Sequence, residues 1–177
     1  MRKLAISLFI AGIAFMGFGL AVAQERQRLS PHEKTEGTVD GVAISVEYGR
    51  PYLKGRTIGK ELVPFGQVWR TGADEATTLV TAATLVFGDV EVPAGTYTLF
   101  TLPTDTDWQL IINKQTGQWG TRYDQAQDFA RLPLQKRTRD GSLEQLTISI
   151  VDHEGPGGAL TIEWGTYSLS APFTIKQ

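Results

Sequence analysis

The sequence predicts an all-β chain: an antiparallel β-sandwich or jelly-roll-like single domain with at most one short helix. Three observations carry this. From Thr38 onward apolar and polar residues alternate with a period of two, the spacing that turns one face of a strand toward a core. Clusters of Gly, Pro, Asn and Asp interrupt these runs at short intervals, as turns do between the strands of a sandwich or barrel. Apart from one short run, no stretch keeps the 3.6-residue apolar period of a helix.

In chain order, residues 1–23 have the three parts of a secretory signal peptide. Arg2 and Lys3 give the positive start, Leu4–Leu20 is almost wholly apolar, and Ala21-Val22-Ala23 offers the small residues a signal peptidase reads. Cleavage before Gln24 is expected. The apolar run of 17 residues lies at the lower edge for a membrane anchor. No cysteine stands at the cleavage point to take a lipid. No later stretch is apolar enough to span a bilayer, so no membrane span is expected after signal cleavage. Residues 24–36, QERQRLSPHEKTE, are polar and read as a mobile lead-in, leaving 37–177 as the β domain.

Asp40-Gly41 is a hairpin signal ahead of Val42, Ile44, Val46 and Tyr48, which alternate with Ala43, Ser45 and Glu47. Leu79–Phe87 is rich in Thr, Val and Leu, and Gly88-Asp89 separates it from Val90–Val92. Pro93-Ala94-Gly95 turns into the β-branched and aromatic stretch Thr96–Leu102, and Trp108–Ile112 follows. Tyr123–Ala130 is the one short helical candidate, with Asp124 placed to cap it. Leu146, Ile148 and Ile150, then Leu160, Ile162 and Trp164, then Leu169, Ala171, Phe173 and Ile175 alternate again around the loop Gly155-Pro156-Gly157-Gly158. This spacing turns Trp108 and Trp164 inward and leaves Trp119, just past a turn, as the most exposed tryptophan.

Composition removes several function classes. With no cysteine there is no thiol catalysis and no Cys-ligated zinc. Without Arg2 and Lys3 the chain has 15 basic and 19 acidic residues, so a nucleic-acid partner is not expected. The two histidines, His32 and His153, fit no metal-ligand spacing or serine triad, and Asp152-His153-Glu154 reads as a solvated hairpin end. There is no G-x-S-x-G elbow and no Gly-rich phosphate loop. No cofactor and no metal are expected.

Two polar segments stand out. Arg50-Pro51-Tyr52-Leu53-Lys54-Gly55-Arg56 is not a strand: Pro51 holds Arg50 extended, Gly55 allows a bend, and three cations need solvent or acidic partners. It reads as a solvated loop, or as one whose arginine crosses to an acidic loop. In Trp69-Arg70-Thr71-Gly72-Ala73-Asp74-Glu75, Arg70 is placed to pair with a carboxylate across its own Gly72 turn, with Trp69 in the core. The functional reading turns Asp74 and Glu75 toward a cleft, where they meet a cation or a ligand hydroxyl. Lys54, Arg56 and Lys114 are candidate helpers, and Trp119 is a candidate aromatic contact.

Several blocks together resemble a known family. They are Gly49–Arg56, the run Leu62–Thr77 (LVPFGQVWRTGADEAT), Val92–Thr101 (VPAGTYTLFT), and Ile112-Asn113-Lys114 with Trp119-Gly120. In order and spacing they resemble the domain of unknown function 2911 family of exported bacterial proteins. The resemblance implies an extracytoplasmic address, periplasmic or secreted, and a single β-rich domain. It implies no catalytic residue and no cofactor. Asp74 stands where that pattern often has asparagine, which favours a hydrogen-bonding role there over an obligatory charge.

The reading adopted is a non-enzymatic exported domain that binds an unknown ligand or envelope component. The alternatives are a metal-binding or hydrolytic enzyme using the Arg70/Asp74/Glu75 loop, and a structural or protein-interaction module using a sheet edge. If Arg70 is half of a buried ion pair, Arg70→Ala costs about 3–5 kcal/mol in a denaturation experiment.

Overall fold

The computed structural model describes residues 30–176, so the signal peptide and the first part of the lead-in lie outside the described residues. The described chain is all-β and forms a single domain. Eleven strands follow one another: β1 (His32–Val39), β2 (Val42–Gly49), β3 (Ile58–Gly59), β4 (Leu62–Pro64), β5 (Ala73–Thr81), β6 (Leu85–Phe87), β7 (Val90–Val92), β8 (Gly95–Pro103), β9 (Trp108–Asn113), β10 (Asp128–Asp152) and β11 (Gly158–Ile175). Nine of them make one antiparallel sheet in the order β1-β2-β5-β8-β9-β10-β11-β6-β7, and β3 and β4 form a separate short pair. Among the described residues no helix is long and apolar enough to cross a membrane.

The sheet folds back on itself because β10 belongs to both halves. Asp128–Leu134 pairs with β9, and Gln135–Asp152 pairs with β11. Register shifts between Thr138 and Thr147 mark irregularities of the kind that bend a strand. The two halves enclose one core. Val46 and Tyr48 of β2, Leu79, Leu99, Leu110 and Ile112 pack in one cluster with Leu146, Ile148, Leu160, Ile162, Trp164 and Phe173. Trp108 and Trp164 are buried as the alternation predicts.

The halves are closed by a seam at the free edge of β10. Its backbone groups there are met by side chains and loop residues. Leu53 N–H donates to Glu144 O (2.8 Å), and Leu146 N–H donates to Pro51 O (3.0 Å). Arg50 Nε donates to Leu146 O (2.8 Å), and Thr35 Oγ1 donates to Ile148 O (2.8 Å). Ile148 N–H donates to the Tyr48 hydroxyl (2.9 Å), which itself donates to Ile148 O (3.4 Å). A buried edge needs such partners, since unpaired backbone groups are costly away from water.

Two expectations need correcting. The mobile lead-in does not extend to residue 36, because His32–Val39 pairs residue for residue with β2. The run HEKTEG is polar because β1 is an edge strand that turns Lys34 and Glu36 to solvent. The helix across Tyr123–Ala130 shrinks to a 3₁₀ turn at Gln125–Gln127, and Asp128–Ala130 opens β10. Asp124 does cap the turn, its side chain accepting from Ala126 N–H. The Asp152-His153-Glu154 end is exposed, as expected.

The loop from β9 to β10 is held by a polar network. Fully buried Asn113 donates to Asp124 O and to Asp128 Oδ1, both at 2.9 Å. Tyr123 donates to Asp128 Oδ2 (2.6 Å), Arg131 donates to the same oxygen (2.8 Å), and Phe100 meets the Tyr123 ring edge-on at 4.9 Å. Burial, then the hydrogen bond to Asp128, pushes the Tyr123 phenol up to about 12. Burial also raises Tyr97.

Tyr48→Phe removes the acceptor for Ile148 N–H and should lower stability by about 1–3 kcal/mol in urea unfolding, with an unchanged slope. The raised Tyr123 value means the folded state holds its proton more tightly than the unfolded state. That stabilisation is complete below pH 10 and disappears as pH climbs toward 12. Tyr123→Phe should therefore flatten the fall of Tm with pH in that window.

Candidate functional site

The loop after β2 is pinned before it can become a cleft wall. Arg50 makes an ion pair with Glu33 of β1 and donates to Thr147 Oγ1 (2.9 Å). The arginine thus crosses to a strand, not to an acidic loop, and its donors are consumed at the seam. Leu53 through Arg56 form a tight turn, with Arg56 N–H donating to Leu53 O (3.0 Å). Both central residues have positive φ, +48° at Lys54 and +72° at Gly55, the pattern of a type I′ turn. Arg56 folds back on this turn, its Nε donating to Leu53 O (3.0 Å) and Nη2 to Tyr52 O (2.9 Å). Lys54 and Arg56 remain exposed.

The facing wall is an excursion of the chain between two pairings with β8. Trp69 and Thr101 exchange both backbone hydrogen bonds at 2.8 Å. Regular pairing with β8 resumes at Thr78 opposite Thr98. On the β2 side, Glu47 pairs with Thr78 and Gly49 with Ala73, so residues 74–77 oppose Tyr48 alone. This is a bulge, a device that re-aims side chains. Thr71 and Asp74 take positive φ, +54° and +62°. Buried Thr77 locks the excursion by donating to Thr71 O (3.0 Å). The loop from β9 closes the outer side: Gly120 N–H donates to Asp74 O (3.0 Å) and Ala76 N–H donates to Gln118 O (3.1 Å). Position 120 must be glycine here, because a Cβ would lie 2.6 Å from Arg70 Cδ and 2.8 Å from Asp74 O.

Between the walls lies a cleft of about 390 Å³. Its lining brings together Lys54, Arg56, Arg70 and Asp74 with Tyr52 and Trp69. Trp69 stacks on Trp164, with centroids 5.8 Å apart and planes 15° apart, and Trp164 Nε1 donates to Glu144 O (3.1 Å). The aromatic wall is thereby continuous with the core.

The pair expected between Arg70 and a carboxylate across Gly72 is absent. Arg70 Nε donates instead to the Gly72 carbonyl (3.1 Å), because the left-handed residues at 71 and 74 curl the backbone back toward the guanidinium. Among the described residues no carboxylate oxygen lies within 4.0 Å of Lys54, Arg56 or Arg70. Asp74 Oδ2 is buried and receives no hydrogen bond among the described residues. Glu75 does not line the cleft with Asp74. It faces Trp119 across a β-bridge, and its carboxylate lies 3.7 Å from His32 Nδ1. Lys114 is exposed on the β9 loop, outside the cleft lining. Trp119 is exposed as expected, at 45%, yet it is Trp69 that lines the cleft. Among the described residues no three His, Asp or Glu side chains group as metal ligands.

Sequence reasoning missed Tyr52 and the Trp69–Trp164 stack. Trp69 precedes the excursion and looks like ordinary core. Its partner lies 95 residues later in β11, so only the folded sheet joins them.

Fold and site define an all-β domain with a polar, aromatic-walled cleft. Residues 30–173 match the model of the family described as protein of unknown function (DUF2911), and the chain belongs to that family. No curated protein and no solved structure shows significant similarity to it.

With a carbonyl and not a carboxylate on Arg70, Arg70→Ala should cost about 1–2 kcal/mol in urea unfolding, below the 3–5 of a broken buried ion pair.

Proposed function

We propose that this chain is an exported ligand-binding domain and that the 51–74 cleft is where it binds. The observation that carries the reading is the placement of backbone strain. Among the described residues five non-glycine residues have positive φ: Asp40, Lys54, Val63, Thr71 and Asp74. Asp40 belongs to the β1–β2 hairpin turn. Lys54, Val63 and Asp74 line the cleft, and Thr71 sits between its residues Arg70 and Gly72. Each such residue costs on the order of 1–3 kcal/mol, and a β-branched residue such as Val63 is a marked outlier. Strain held at one place fits a surface shaped for recognition. The cleft volume is within the range of small-molecule sites.

Binding is favoured over catalysis by the lining itself. Among the described residues it holds one carboxylate, Asp74, and no histidine, and these offer no nucleophile–base pair and no acid–base pair of carboxyl groups. The signal-peptide pattern of residues 1–23 supports an extracytoplasmic ligand or envelope component.

The test is thermal denaturation of the protein against sugars, amino acids, organic acids and divalent metals. A ligand at about 100 times its Kd stabilises the fold by about 2.7 kcal/mol, a clear rise in Tm. Loss of that rise in Trp69→Ala and in Tyr52→Ala, each compared with its own unliganded Tm, supports the cleft. A rise that survives both changes places binding elsewhere and removes the reading. A rise with a divalent metal, lost in Asp74→Ala, returns the metal-binding alternative.

A further inference from the structure

The charges in the cleft are mismatched in a particular way. Arg70 and Asp74 line the same space four residues apart, yet they do not form an ion pair. Arg70 spends Nε on the Gly72 carbonyl, and its two terminal nitrogens make no hydrogen bond among the described residues. Asp74 Oδ2 is buried without a donor. A buried oxygen left in this way carries an uncompensated desolvation cost, and no hydrogen bond among the described residues reaches the rest of the Asp74 carboxylate, so this carboxylate is short of a donor. The backbone prevents the two groups from satisfying each other. The hydrogen bond to Gly72 O and the Gly120 contact on Arg70 Cδ hold the guanidinium, while the bulge and its positive φ hold Asp74.

We infer that the cleft takes a small acidic ligand that also carries a hydroxyl or amine donor, the chemistry of an acidic sugar. This rests on the reading of the cleft as the binding site. The acid group meets the free edge of Arg70, whose planar fork matches a carboxylate with two parallel hydrogen bonds. Lys54 and Arg56, exposed on the turn at the mouth, add positive potential that draws an anion inward. With three cations against one carboxylate among the described lining residues, a metal cation or a polyamine is disfavoured. The hydroxyl or amine donates to the Asp74 carboxylate, which lines the cleft. The apolar face of a ring lies on Trp69, which is half-buried and backed by Trp164, so the platform is held rigid. A neutral sugar leaves Arg70 unmatched, and a plain anion such as acetate or phosphate leaves Asp74 unmatched. An acidic sugar uses both.

The test is calorimetric titration of the protein with glucuronate and galacturonate, with glucose and galactose, and with acetate and inorganic phosphate. One uronate is expected to bind at least about tenfold tighter than its neutral sugar and than acetate. Arg70→Gln should weaken uronate binding by about 10- to 100-fold and neutral-sugar binding by less than about threefold. Asp74→Asn keeps a residue that tolerates the left-handed backbone but removes the charge. It should narrow the ratio of uronate to acetate affinity by weakening the first and strengthening the second. Circular dichroism and Tm establish that each variant is folded before titration.

Glucose bound as tightly as glucuronate, with Arg70→Gln indifferent and Trp69→Ala abolishing both, overturns the acidic class and keeps the cleft. Phosphate or acetate bound as tightly as a uronate overturns the role of Asp74. If no uronate binds while another compound loses its Tm rise in Trp69→Ala, the class is wrong and the cleft stands. If every ligand found survives Trp69→Ala and Tyr52→Ala, the cleft reading itself fails.

Discussion

The structure depends on how the free edge of β10 is closed. From Glu144 to Ile148 this edge is partly buried, and among the described residues no strand pairs with it in a regular ladder. Its carbonyls and amides are met one by one by Leu53, Pro51, Arg50, Tyr48 and Thr35. The sheet can therefore roll into one core without leaving backbone groups unsatisfied. The closure also removes an edge on which another chain could pair. It constrains the sequence tightly. Tyr48 must be a tyrosine that both donates and accepts, and Arg50 must span from Glu33 to Leu146 and Thr147. Pro51 needs no N–H of its own, since only its carbonyl is used.

The same closure creates the cleft. Residues 50–53 serve as the seam, and the turn at 53–56 projects directly from it, so Lys54 and Arg56 are displayed from a fixed base. Opposite them the 69–77 excursion hangs between two points on β8, Thr101 and Thr98. A long flexible loop would place Arg70 and Asp74 over a range of positions and would let them pair. Anchored at both ends, braced by Thr77 and roofed by Gly120, this one cannot. The stack of Trp69 on Trp164 ties the site to β11, so the wall of the cleft is an extension of the core.

Local alternation made much of the fold legible. β2 and both apolar halves of β11 follow the period of two, β8 and β9 are β-branched, aromatic and apolar runs buried on both faces, and the turns at Asp40-Gly41 and Gly88-Asp89 fall where glycine and aspartate predict them. β1 was obscured because an exposed edge strand carries charge at positions that a buried one fills with valine. The middle of β10, Gln135–Gln145, was obscured because it is mostly exposed, so it carries no apolar stripe. Among the site residues, Lys54, Arg56, Arg70 and Asp74 were chosen by chemical type and do converge. Arg50 has the same type and is spent at the seam, a distinction set by partners about 100 residues away. The Arg70 ion pair was misjudged because spacing across a turn fixes direction only if the backbone is right-handed, and Thr71 and Asp74 are not.

That left-handed backbone gives a physical sense to the residue at 74. Aspartate and asparagine are several-fold enriched at positive φ, so either can occupy the bulge at modest strain. Both place an acceptor oxygen on the same short side chain. An asparagine at 74 would thus keep the acceptor in the same fixed direction. The charge is then a variable that can tune affinity, while the acceptor is the constant. Arg70 has no such latitude. Its stem threads past Gly120 with no room for a Cβ there, and its Nε is committed to a backbone carbonyl, so what it has to offer a ligand are the two terminal nitrogens that make no hydrogen bond among the described residues.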